Sequence, residues 1–88
     1  MKITIFGLTL TSSWGNGHAT PYRAMVRALH RAGHAVTFYE QNAEYYARHR
    51  DLPRCSFCSL VLYDDWHEVR PAALAEAAAS DIVINASY

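Results

Sequence analysis

The chain has 88 residues, room for at most one small domain, and 51% of them are apolar, so a folded core is expected rather than disorder. Its 8 basic residues balance its 8 acidic ones, which leaves no basic footprint for nucleic acid and no polybasic patch for a membrane surface. No apolar run approaches the roughly 18 residues that a membrane-spanning helix needs.

Met1-Lys2 followed by Ile3 to Leu10 imitates the start of a signal peptide. Thr4, Gly7 and Thr9 interrupt the run, and no small-x-small cleavage site follows it. A buried first strand, Lys2 to Leu8, explains the stretch better, and a cytoplasmic protein is expected. Ile3 and Ile5 fall on one face of that strand, Thr4 and Phe6 on the other.

The loop Trp14-Gly15-Asn16-Gly17-His18-Ala19-Thr20-Pro21 comes next. Gly15 and Gly17 permit positive φ and close approach to the backbone. Thr20 suits an N-cap and Pro21 a first helical position, so a helix is expected over Pro21 to Ala32. Tyr22, Met25, Val26 and Leu29 recur at i, i+3, i+4 and i+7 and form its apolar face. Arg23, Arg27, His30 and Arg31 lie opposite. Ala24, Ala28 and Ala32 form a smooth ridge suited to packing on a sheet, and Gly33 stops the helix as its C′ residue.

Ala35 to Glu40 reads as strand two, parallel to strand one. Gln41 to Arg50 is expected as a short helix carrying Tyr45, Tyr46 and His49, broken by Asp51-Leu52-Pro53. Phe57 to Tyr63 reads as strand three. Asp64-Asp65-Trp66 follows, and its paired acids suit either metal or acid–base chemistry or, more simply, the cap of the next helical turn. Pro71 is expected to open an alanine-rich helix to Ala79. Asp81 to Asn85 is strand four, with Ile82, Val83 and Ile84 a short buried run. The result is an α/β, Rossmann-like parallel sheet of four strands with flanking helices. Strand four then needs a covering helix, so residues 1–88 are read as a single partial domain or a piece that needs a partner.

Two cysteines form Cys55-Ser56-Phe57-Cys58. No second CxxC or HxxxH completes a zinc site, and the pair precedes a strand rather than following one as redox pairs do. The simpler reading is two reduced thiols, one on each side of a strand.

In doubly wound sheets, ligands bind beyond the strand C-termini where strand order reverses, and the usual order 3-2-1-4 puts strand four beside strand one. The Gly15–Thr20 loop and the Ser87-Tyr88 end then face each other across a crevice. Trp14, Gly15, Asn16, Gly17, Thr20, Ser87 and Tyr88 are candidate substrate contacts. Arg23, one turn from the loop, can reach an anion there or lie in solvent. The helix N-terminus suits phosphate, carboxylate or a sugar-linked pyrophosphate. His18 is the titratable side chain of the loop, a candidate general base or a donor to an anionic substrate, or a ring that only hydrogen-bonds the loop backbone. Gly15-x-Gly17-x-x-Thr20 also half-fits a dinucleotide fingerprint, with Glu40 ending strand two where an acid can hold a ribose, but Thr9 to Trp14 make the turn too long.

The stretch from Gly7 to Pro21, together with Val36-Thr37-Phe38-Tyr39-Glu40 and Leu62-Tyr63-Asp64-Asp65-Trp66, resembles the start of GT-B glycosyltransferases, most closely the bacterial spore-maturation (CgeB-like) type. The resemblance covers essentially the whole chain. It implies the N-terminal, acceptor-side part of a two-domain enzyme that moves a sugar from a nucleotide-sugar donor to a small-molecule or glycan acceptor. The C-terminal domain, which mainly holds the nucleotide, has no counterpart in these residues, so the chain alone is expected to be inactive. No metal or resident cofactor is implied; the nucleotide sugar is a co-substrate. His18 becomes the acceptor-activating base of an inverting enzyme, or an acceptor or phosphate contact in a retaining one. Two other readings stay beside it: a nucleotide- or dinucleotide-binding module of an oxidoreductase, and a non-catalytic domain that associates with a partner or itself.

Overall fold

The computed structural model describes residues 1–7, 9–12, 19–43, 48, 50–52 and 55–85. Among these the order is β1 (Lys2–Phe6), α1 (Ala19–Arg31), β2 (Ala35–Gln41), β3 (Ser59–Tyr63), α2 (Trp66–Ala78) and β4 (Ile82–Asn85). The strands form one all-parallel sheet in the order β3-β2-β1-β4. This is the expected α/β, Rossmann-like order, with the reversal between β1 and β4. Ile5 pairs with Phe38 on one side and Ile84 on the other, and Phe6 pairs with Tyr39 and Asn85.

The period of two along each strand separates two faces. Ile3, Ile5, Val36 and Phe38 face α1 and join Leu10, Val26 and Phe57 in one buried cluster. Tyr22, Met25 and Leu29 pack against that cluster from the expected face of α1, with the Tyr22 ring edge-on to Phe38 at 5.3 Å between centroids. Gly7 stands so close to the buried Phe38 ring that a Cβ there would collide with its Cζ, so glycine is needed for close approach rather than for a turn.

Helix α1 stops as its sequence predicts. Gly33 has φ +88°, the His34 amide donates to the Leu29 carbonyl at 3.0 Å and the Gly33 amide to that of His30 at 3.0 Å, the paired bonds of a Schellman ending. Its start differs: the helix begins at Ala19, not Pro21. Thr20 therefore lies inside the first turn rather than capping it, and Pro21 is third. A proline is tolerated there because first-turn N–H groups have no intrahelical acceptor. Ala24, Ala28 and Ala32 are exposed, because the wider Tyr22–Leu29 face takes the sheet and turns the small residues to solvent.

The other face is covered by α2, which starts five residues before the expected Pro71. Asp65 is the N-cap, with extended backbone and a carboxylate accepting from the His67 amide at 2.9 Å, and Glu68 sits in the first turn where the helix dipole favours it. The capped turn initiates the helix, and Pro71, inside it, removes a single intrahelical bond. Ala73 is buried against the sheet. Near the strand N-termini the contacts of this face are polar. Thr37 Oγ1 donates to Glu76 at 2.8 Å, Lys2 Nζ lies 3.2 Å from the same carboxylate, and the Thr4 and Ser80 hydroxyls are 2.5 Å apart. These partners hold the Glu76 carboxyl below its ordinary range, the Thr37 hydrogen bond most of all. The Tyr39 phenol is pushed up, first by burial and then by the charge of Glu76.

Two further expectations change. Ile82 and Val83 are 40% and 46% exposed, because β4 is an edge strand; only Ile84 packs on the core. Gln41 belongs to β2, and residues 44–47 and 49, which include Tyr45, Tyr46 and His49 of the expected helix, lie outside the described residues. No helix among the described residues is long and apolar enough to cross a membrane.

Candidate functional site

The candidate site is built where β1 gives way to α1, at the carboxyl edge of the sheet. Trp14, Gly15, Asn16, Gly17 and His18, and also Ser87 and Tyr88, lie outside the described residues. The described segments that flank them fix where the β1–α1 connection leaves the sheet and where it rejoins the fold. Thr9, Leu10, Thr11 and Ser12 are fully buried on one side, and Ala19 is fully buried on the other.

The stem is held by a carboxylate. Glu40, on the α1 face of β2, is completely buried. It accepts from the Leu10 amide at 2.6 Å, from the Thr11 amide at 3.1 Å and from the Thr11 hydroxyl at 2.7 Å. Arg50 Nη2 lies 3.7 Å from its second oxygen, and Arg50 Nε donates to Thr11 Oγ1 at 2.8 Å. A buried carboxylate is tolerated only when paired and hydrogen-bonded, and here each oxygen meets donors from the connection it holds. The same segment is fastened from outside: the Thr11 carbonyl accepts from the Asp51 and Leu52 amides, both at 2.9 Å.

Arg23 joins this clamp. Its Nε donates to the Leu10 carbonyl at 2.8 Å, and its terminal nitrogens fork onto Asp51 at 2.6 Å and 3.3 Å. A sequence reading that set it one turn from the loop had its position right, and the partner it meets is Asp51. Thr20 sits exposed in the first turn of α1, whose N–H groups belong to Ala19, Thr20 and Tyr22. Glu40 faces inward, so its carboxylate is engaged by the stem instead of being presented to a ribose.

Sequence reasoning missed this clamp. Its signal was an acid closing an apolar strand, Val36-Thr37-Phe38-Tyr39-Glu40, which needs a polar partner wherever it is buried. The paired acids also resolve: Asp65 caps α2, and Asp64 accepts from Asn42 Nδ2 at 3.0 Å.

On the opposite face of the same edge, aromatic rings gather. Phe6 stacks on Tyr39 at 5.1 Å, and Trp66 stands edge-on to Phe6 at 5.8 Å and packs on Tyr63 at 5.9 Å. Phe6, Tyr63 and Trp66, with Leu74, Val83 and Asn85, line a cleft of about 420 Å³, within the size range of small-molecule sites. Trp66 is 37% exposed. Among the described residues, no group of three or more His, Cys, Asp and Glu side chains is arranged to hold a metal ion. Compared with known protein families, curated proteins and solved structures, the chain matches none.

Proposed function

We propose that this chain forms the acceptor-side part of a glycosyltransferase that uses a nucleotide-sugar donor. The observation that carries the reading is the position of residues 9–12, the stem that leads into the glycine-rich stretch. That stem is locked by Glu40 at the carboxyl edge of a parallel sheet, next to the β1/β4 reversal where Phe6 and Asn85 are in register. Doubly wound sheets bind ligands at that reversal. The resemblance of the Gly7–Pro21 stretch to GT-B enzymes supplies the substrate class.

On this reading Gly15 and Gly17 let an acceptor approach the backbone, and the start of α1 favours a negatively charged group. Trp14, Asn16 and Thr20, with Ser87 and Tyr88, contribute acceptor contacts, while Arg23, engaged by the Leu10 carbonyl and Asp51, positions the stem. His18 takes the proton from the acceptor hydroxyl as its oxygen attacks the anomeric carbon and the nucleoside diphosphate departs from the donor. The donor is held by a second domain, and no resident cofactor takes part. The choice of sugar transfer over dinucleotide binding is supported by the inward, fully engaged carboxylate of Glu40.

The test is turnover in an enzyme that joins these residues to a nucleotide-sugar-binding domain. His18→Ala is expected to lower kcat by about 10²- to 10⁴-fold, the usual contribution of a positioned base, while the melting temperature is unchanged. Equal turnover in the variant removes His18 from the chemistry.

A further inference from the structure

We propose that Cys55 and Cys58 form a reactive dithiol that closes to an intrachain disulfide by exchange with a small-molecule disulfide. Both cysteines are reduced and partly buried, and their Sγ atoms touch at 2.7 Å. Either thiol can donate to the other at that distance, so the fold holds the two sulfurs side by side. The sequence suggested thiols on opposite sides of a strand. Instead β3 begins at Ser59, and residues 56–58 bend so that the two side chains meet.

The fold imposes this meeting. Phe57, between the cysteines, is 9% exposed and belongs to the buried cluster, with the Arg27 guanidinium 4.9 Å above its ring. Both cysteines pack on the same cluster. Cys58 is fixed on its other side by β3, which pairs with β2 from Thr37↔Ser59 onward. Both cysteines keep part of their surface exposed, and Cys58 lines an open groove of about 310 Å³ with Lys2, His30 and His34.

The exchange balances in two steps. The thiolate of Cys55 attacks one sulfur of the incoming disulfide; that S–S bond breaks, and the leaving thiolate takes up a proton. Cys58 then attacks the Cys55 sulfur of the mixed disulfide, loses its proton and releases the second thiol. Two protein thiols are oxidised and one external disulfide is reduced to two thiols. Burial, together with the hydrogen bond and charge of Cys55, pushes the Cys58 thiol up, so Cys58 suits the resolving role. Capping Cys55 in the mixed disulfide removes the two influences that come from it.

The test equilibrates the folded 88-residue chain in buffers of defined oxidised-to-reduced glutathione ratio, followed by alkylation and intact-mass measurement. Folded chain is expected to lose the mass of two hydrogen atoms and both alkylation sites, with the bond mapped between Cys55 and Cys58. Its equilibrium constant should exceed that of the urea-unfolded chain by about tenfold or more, since the fold preassembles the pair. Cys58→Ser should accumulate a glutathione adduct at Cys55 that the parent does not. Equal constants in folded and unfolded chain, persistent glutathione on both cysteines, or a disulfide between two chains would each overturn the proposal.

Discussion

The two faces of the sheet are built on different chemistry. Against α1 lie Ile3, Ile5, Val36 and Phe38, a dry layer closed by Val26, Leu10 and Phe57. On the α2 side, Thr4 and Thr37 meet Ser80 and Glu76 toward the amino edge, and Phe6, stacked on Tyr39, meets Trp66 toward the carboxyl edge. The first face supplies stability through buried apolar area; the second holds its helix by directed bonds and leaves an aromatic cleft. The clamp on the β1–α1 connection belongs to the first face, so the candidate loop is rooted in the part of the molecule that resists opening.

The contrast breaks most sharply at Phe38. Phe38→Ala empties the centre of the dry face and removes the ring against Gly7 and Tyr22. It should cost about 3–5 kcal/mol, enough to unfold a small domain, as read by urea denaturation. Next in size is Glu40→Gln. The amide presents N–H groups where Leu10, Thr11 and Arg50 also donate. Leaving buried donors unmatched should cost about 2–4 kcal/mol. Hydrogen exchange at the Leu10 and Thr11 amides should accelerate beyond the global change, which separates a broken clamp from general loosening.

The smallest effect belongs to the polar face. The depressed Glu76 carboxyl stabilises the fold above the ordinary carboxylate pKa, and this contribution is lost as pH falls through the lower, folded value. Glu76→Gln should therefore lower stability modestly at neutral pH, with the gap to the parent closing below about pH 4. The pair with Lys2 is partly exposed, so solvent screening keeps the effect small. Parallel melting curves at neutral and acid pH measure it.

Local chemistry made much of the fold readable. The Tyr22–Leu29 periodicity, the Gly33 stop and the alternation of Ile3 to Phe6 act over a few residues, and the strand order follows from the preferred crossover of parallel strands. The features that sequence missed are long-range or competitive. Pro71 reads as a helix start although Asp64 or Asp65 already offers a cap, and the Asp65 cap wins. Glu40 stands where an acid can hold a ribose, and the chain thirty residues before it folds back onto its carboxylate instead. Arg23 reads as a free cation until Asp51 arrives from a distant loop. For the site, sequence set the connection between β1 and α1, while the buried network that fixes its stem depends on tertiary partners that no spacing announces.

The most direct test of the account maps amide chemical shifts of the labelled chain during titration with monosaccharides and sugar phosphates, and in parallel with NAD. Saccharide-dependent shifts are predicted at Gly7, Leu10–Ser12, Ala19, Thr20, Tyr22 and Asn85, around the carboxyl edge, with NAD leaving them unmoved. Shifts confined to the amino edge near Lys2, His34 and Asp81, or a response to NAD at the carboxyl edge in place of the saccharides, would contradict it.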